Sequence, residues 1–257
     1  ELDGFYTTDD FSWDGSKWIL NENLTDPTEL IKYNNFGPGS LKLKADEDGK
    51  FTKKRLGNTV PTVTGGFGIN MRYKNFDLSA FFNYSLGNKI VNATKLGSSY
   101  YNDTKKGWNL NDNFTLANRY SWIDPSTGEN MLKSSYIKSN GLDYTINRLN
   151  EINAGASMYN PGSITEMPLL DWAVEDGSFL RVNNISIGYT LPKVFVNKMF
   201  MQNVRIYVTG YNLYCFTKYS GADPEVDTRR STPMTPGVDY SAYPKSRSFV
   251  GGINVTF

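Results

Sequence analysis

The amino-acid sequence predicts an all-β chain: five antiparallel strands at the C-terminal end of a transmembrane β-barrel, joined by long extracellular loops. Three observations carry this expectation. Five segments alternate apolar and polar side chains with a period of two, and the connections between them alternate short and long. Apolar content is concentrated in rings: aromatics reach 14% while all hydrophobic residues make up only 39% of the 257 residues. That bias suits aromatic girdles and ring-bearing loops better than an aliphatic enzyme core.

Residues 1–62, rich in Gly, Asp, Asn and Trp, read as an extracellular loop region. Residues 63–87 read as a transmembrane hairpin. From Thr64 to Tyr73, Phe67, Ile69, Met71 and Tyr73 share one face, with Gly66, Gly68, Asn70 and Arg72 on the other. After a two-residue turn at Lys74-Asn75, Phe76, Leu78, Ala80, Phe82, Tyr84 and Leu86 continue the apolar face, opposite Asp77, Ser79, Asn83 and Ser85. Asn70, Arg72 and Asp77 are tolerable in a wet lumen and costly in the dry core of a sandwich.

Residues 88–177 form a connection of about ninety residues, far beyond ordinary loops, so it must hold a folded substructure of its own. Residues 178–257 carry three further strands, one periplasmic turn and one extracellular loop. The third strand, Phe179 to Leu191, places Ile185, Ile187, Tyr189 and Leu191 against Asn184, Ser186, Gly188 and Thr190. Its first half is out of phase, which predicts a β-bulge near Asn183. Pro192 ends it, and the stretch to Asn203 reads as a short turn with one helical turn. The fourth strand starts near Val204 and sets Val204, Ile206, Val208 and Gly210 against Arg205, Tyr207, Thr209 and Tyr211. In the terminal strand Phe249, Gly251, Ile253, Val255 and Phe257 oppose Val250, Gly252, Asn254 and Thr256. Eleven residues at about 3.3 Å each, tilted about 45°, cross roughly 26 Å of membrane. Taken alone, this last strand also fits the closing strand of a soluble sandwich.

The short turns at 74–75 and 192–203 belong on the periplasmic side and the long connections outside, which places the C-terminus in the periplasm and the chain in a bacterial outer membrane. Five strands are too few to close a barrel, which takes about eight at least, so the expectation is the C-terminal portion of a longer chain. Arg72, Asp77, Asn83, Arg205 and Tyr207 are the lumen-facing candidates.

Composition excludes several classes of function. A net charge of +1 lacks the clustered basic footprint of a nucleic-acid binder. The absence of His removes the commonest general base and transition-metal ligand. Cys215, the one cysteine, allows no internal disulfide and no thiolate cluster. No apolar run reaches the about 18 residues of a spanning helix, so any crossing is made by strands. The chain opens Glu-Leu-Asp-Gly without Met or an apolar leader, so an export signal is expected upstream.

The stretch from Val174 to Pro192, including Asp176-Gly177-Ser178-Phe179-Leu180-Arg181-Val182-Asn183-Asn184, resembles the C-terminal strands of SusC/RagA-like TonB-dependent outer-membrane transporters of Bacteroidetes. So do Val204 to Leu213 and Phe216 to Val226, while Pro38 to Lys42, Asp48 to Thr52 and Gly57 to Pro61 resemble the family's approach to the hairpin. The resemblance covers most of the chain in order. It implies a barrel of about 22 strands with an N-terminal plug, a SusD-like surface lipoprotein as lid, uptake of oligosaccharides or peptides, and energy relayed through TonB by a segment upstream of Glu1.

Other motifs are weaker. Ala45 to Lys50 sets Asp46 and Asp48 before a Gly, resembling a calcium loop in part, but the downstream bidentate Glu is missing and a solvated acidic turn explains it. Asp171, Glu175 and Asp176 hold no spacing that enforces a glycosidase pair. An enzyme is not expected, and no cofactor is called for. Tyr100, Tyr101, Trp108, Tyr120, Trp122 and Tyr159 in the long loop are candidates for contact with ligand or lid, against the alternative that they pack within their own substructure. Two readings stay open: part of an outer-membrane importer, or a surface carbohydrate-binding or adhesin β-protein without transport.

Overall fold

The computed structural model describes residues 1–101, 109–225, 237–240 and 243–257. Its backbone divides into two compact units, one formed by Glu1–Arg55 with Ala93–Ala173 and the other by Leu56–Asn92 with Val174–Phe257. Among the described residues there are twelve strands, not five, because seven short ones lie outside the predicted segments.

The first unit pairs β1 (Leu2–Phe5) with β4 (Leu41–Leu43) and β2 (Phe11–Trp13) with β3 (Trp18–Leu20), all antiparallel. Three helices follow, α1 (Ala93–Gly97), α2 (Ser134–Asn140) and α3 (Leu142–Ile152). Gly141, at φ 91°, separates α2 from α3 in a conformation that suits a residue without Cβ. In α3, Leu142, Ile146, Leu149 and Ile152 recur at helical spacing and pack on one core, where Leu149 is fully buried. That core also takes Tyr6, Phe11 and Trp18 from the first segment and Tyr120, Trp122 and Met131 from the second. A second core joins Ile31 and Leu41 to Phe114, Tyr159 and Ile164. The early and the long loop regions thus fold together, with the burial of rings as the common driving force.

The second unit is built on an antiparallel sheet ordered β12-β10-β9-β6-β5, comprising β5 (Val63–Tyr73), β6 (Phe76–Leu86), β9 (Phe179–Thr190), β10 (Asn203–Thr217) and β12 (Ser248–Thr256). A second small sheet joins β7 (Lys89–Asn92), β8 (Val174–Asp176) and β11 (Val238–Asp239), the last pairing parallel to β7. One helical turn, α4 (Lys193–Val196), stands between β9 and β10. Tyr73 pairs with Phe76 across a two-residue turn, and Lys74 takes the left-handed φ of 51° that such a turn requires at its first position.

The bulge lies where the phase change predicts it. Phe81 pairs with Asn184 and Phe82 with Val182, which leaves Asn183 as the extra residue. On the other side of β9 the register also shifts there, between Tyr211 and Tyr214, and Asn212 takes φ 50°. The added residue turns Leu180 and Val182 to the face that carries Ile185 and Ile187 beyond it, so the apolar face survives the change of phase. That face is open to its surroundings: Phe67, Ile69, Met71, Phe76, Ile187, Ile206, Val208, Phe249 and Ile253 are all exposed. A run of apolar side chains this wide is unlike the surface of a soluble domain.

Candidate functional site: the polar face of the sheet and the loop cleft

The opposite face of the sheet is mainly polar, with Phe81 as an exposed ring on it. One row crosses all five strands: Arg72 on β5 pairs with Asp77 on β6, which pairs with Gly188 on β9, then Tyr207 on β10 and Gly252 on β12. Two strand residues away, Arg205 folds its guanidinium over Gly188 to reach Asp77, donating from Nε to Oδ1 at 2.9 Å and from Nη2 to Oδ2. A Cβ at position 188 would lie 2.6 Å from Arg205 Cζ, so the glycine makes room for this bridge. The Tyr207 ring lies across Gly252 in the same way and has the Arg205 guanidinium 5.1 Å from its centroid. Next along the face, Thr209 Oγ1 donates to Ser186 Oγ at 2.8 Å.

Asn83 stands on this face between Gly66 and Arg181. Its Oδ1 is buried with no hydrogen-bond donor among the described residues. Beside it, Arg181 is 4% exposed and pairs with the buried Asp223, while its Nε lies 3.2 Å from Glu225 Oε2 without hydrogen-bond geometry. Lys245 holds the same Glu225 carboxylate. Sequence reasoning did not single out Arg181 as a site residue. Its signal was a lone cation on the polar face of a strand, but its partner Asp223 sits 42 residues on in a loop, and no local pattern links them. A cavity of about 440 Å³ opens here, lined by Asn83, Ser85, Asn88, Phe179 and Glu225 among others.

In the first unit, two adjoining cavities of about 910 and 630 Å³ share Tyr101, Trp122, Ile123, Asn160 and Gly162. Arg119 and Asp112 line the larger, and Asn34, Asn35 and Asn130 the smaller. Of the six ring candidates, Tyr101 is exposed at 44%. Tyr100 is half-buried against the second core. Tyr120, Trp122 and Tyr159 are buried at 3%, 6% and 0%. Trp122 Nε1 donates to Pro38 O at 2.7 Å, and Tyr159 Oη donates to Ser99 O at 3.0 Å. Burial drives the Tyr159 hydroxyl pKa far above its usual value. The Tyr120 ring is stacked over Gly39, whose φ of 84° and lack of Cβ allow that approach. Trp108 lies outside the described residues.

The acidic candidates are taken up by backbone and hydroxyl donors, Asp46 and Asp176 within local turns and Asp171 and Glu175 between distant segments. Asp46 Oδ1 accepts the backbone N–H of Asp48 at 3.1 Å and of Lys50 at 2.7 Å. No three acidic or thiol side chains are grouped to hold a metal among the described residues. Asp171 accepts the Leu2 N–H, Glu175 the Ser220 N–H and Oγ–H, and Asp176 the Ser178 N–H and Oγ–H. Hydrogen bonds from Ser178 hold the Asp176 carboxyl below the usual carboxylate range. Elsewhere in the first unit, Asp124 is fully buried and accepts from Tyr136 Oη at 2.6 Å, from Ser126 Oγ at 2.7 Å and from Arg148 Nη2 at 3.2 Å. These bonds, led by that of Tyr136, pull its pKa far down, while burial and Asp124 push the Tyr136 hydroxyl up to about 12.

No protein-family model matches the chain. TonB-dependent receptor P3 of Formosa agariphila is 31% identical over 244 residues, covering 91% of this chain and 20% of the receptor. TonB-dependent receptor P26 of the same organism is 27% identical over 210 residues, covering 79% of this chain and 18% of its own length. TonB-dependent receptor SusC of Bacteroides thetaiotaomicron is 31% identical over 88 residues, or 34% of this chain. Among solved structures, the RagAB peptide transporter matches in fold with a TM-score of 0.53 at 20% identity, over 88% of this chain and 22% of its own. The chain therefore spans about a fifth of the length of the P3 and P26 receptors, and its match to SusC covers 8% of SusC. By sequence this chain belongs with the SusC-like TonB-dependent receptors, and its fold matches part of the RagAB structure.

Proposed function

We propose that the chain supplies the last five strands and three extracellular loops of an outer-membrane active importer, a plugged barrel of about 22 strands closed from above by a SusD-like lipoprotein and energised through TonB. The observation that carries this is the two-sided sheet, apolar and exposed on one face, polar with Arg72, Asp77, Asn83, Arg205 and Tyr207 on the other. In lipid such a sheet has no open edge, so β5 and β12 pair with strands outside this chain. The short turns lie in the periplasm and the first unit lies outside the cell.

Cargo is an oligosaccharide or a peptide. Tyr101 offers an exposed ring beside clustered Asn side chains, a chemistry that stacks on a sugar and hydrogen-bonds its hydroxyls. The peptide alternative draws on RagAB, which is a peptide transporter. Mass-spectrometric mapping of the native detergent-extracted particle tests the reading. A barrel chain with upstream strands, a plug and a copurifying lipoprotein is the expected result. A detergent-independent, partnerless protein would establish instead a surface-binding β-protein without transport. Uptake of labelled glycans and peptides by cells with and without the gene then assigns the cargo.

A further inference from the structure

The turn between β9 and β10 presents more apolar surface than a solvent-exposed turn needs. Thr190 N donates to Asn75 O at 2.8 Å and Gln202 N to Thr256 O at 2.7 Å, so this turn, the 74–75 turn and the end of β12 share one end of the sheet. Within it, Val196 is buried, whereas Val194, Phe195 and Phe200 are 70%, 61% and 93% exposed. The helical turn packs against β10. There Val204, on the apolar face, is buried, while Ile206 and Val208 further along the same face are exposed. The exposed rings thus stand at the same end of the sheet as Val204, where the apolar face begins. Tyr73 and Phe76 add two exposed rings at this end, and Lys74 Nζ lies 5.3 Å from the Tyr73 ring centroid. The charge is one-sided: Lys74, Lys193 and Lys198 stand here, no acidic residue occurs between Asp176 and Asp223, and Asp77 is taken up by Arg205.

We infer that Lys193–Phe200 is an interfacial foot, seated in the phospholipid leaflet at the turn end of the barrel, with Phe195 and Phe200 in the headgroup boundary and Lys193 and Lys198 on anionic headgroups. Rings with an apolar body settle at this depth, and lysines reach outward along their stems to the phosphates. The inference rests on the membrane-barrel reading.

The test uses the full-length transporter in bilayers, with Phe195→Trp, Phe200→Trp and Ile253→Trp made separately and uptake measured as the control for folding. Added fluorescence at 195 and 200 should be quenched by lipids brominated near the headgroup, and that at 253 by lipids brominated in the chain. If 253 is quenched and neither 195 nor 200 is, the foot is covered by protein or water and the inference fails while the barrel stands. If 253 is not quenched, the barrel reading itself fails. At equal mole fraction, brominated phosphatidylglycerol should quench 195 more than brominated phosphatidylethanolamine, with enrichment of up to about fivefold per lysine. The ratio should fall toward one in Lys193→Gln/Lys198→Gln, in which Lys74 remains; a ratio of one in the parent overturns the anionic preference.

Discussion

Arg205 crosses the bare backbone of Gly188 to hold both carboxylate oxygens of Asp77, so three strands are tied at one point of the polar face. Removing either partner should cost stability without disturbing the sheet. Arg205→Ala and Asp77→Ala in the full-length protein should each lower the urea midpoint, and the double variant should show a coupling of about 1 kcal/mol, since both groups are partly solvated. Gly188→Val should mimic the loss by displacing the guanidinium. Additive effects in the double variant would mean that the bridge contributes nothing.

Arg181 is a different case, because it and Asp223 are both buried. Arg181→Met leaves an unpaired buried carboxylate and should destabilise by about 3–5 kcal/mol, with Arg181→Met/Asp223→Asn recovering much of it. Thermal unfolding and protease sensitivity of the loop after β10 report this.

Asp124 predicts an acid dependence of the first unit. Its folded pKa lies below the unfolded value of 3.8, held there by Tyr136, Ser126 and Arg148. Its contribution is therefore present above that value and is lost as pH falls through the folded pKa. Unfolding followed by tryptophan fluorescence should show stability decreasing as the pH drops below about 4. Tyr136→Phe should weaken that dependence and Asp124→Asn should weaken it further, leaving the part carried by Glu1 and Asp14, whose carboxyls are also held low.

The two faces of β12 should respond oppositely to charge. Ile253→Arg, on the exposed apolar face, should destabilise the protein in bilayers by about 2–4 kcal/mol, and Asn254→Arg, on the polar face, by much less. Equal effects would contradict a lipid face.

Rings in the first unit should separate by burial. Tyr101→Ala should weaken cargo binding roughly threefold to tenfold with little change in melting temperature. Trp122→Ala should cost about 3–5 kcal/mol of stability, because the indole fills a core and donates to Pro38 O. Binding and melting measured on the same variants distinguish the two.

Period-two alternation was enough to place the five long strands, their two faces and the bulge at Asn183, because each follows from neighbours in the chain and from the rule that one extra residue reverses every side chain. The polar-face positions of Arg72, Asp77, Arg205 and Tyr207 followed from the same count. What that count could not supply was partnership. That Arg205 meets Asp77 across Gly188, that Arg181 meets Asp223, and that Tyr120, Trp122 and Tyr159 are packing residues while Tyr101 stays open all depend on contacts between segments far apart in sequence. The seven short strands belong there too, since three-residue pairings have no period of their own to read and form only where a folded core brings two backbones together. Alternation is a local property of a strand; burial and pairing are decided by the whole chain.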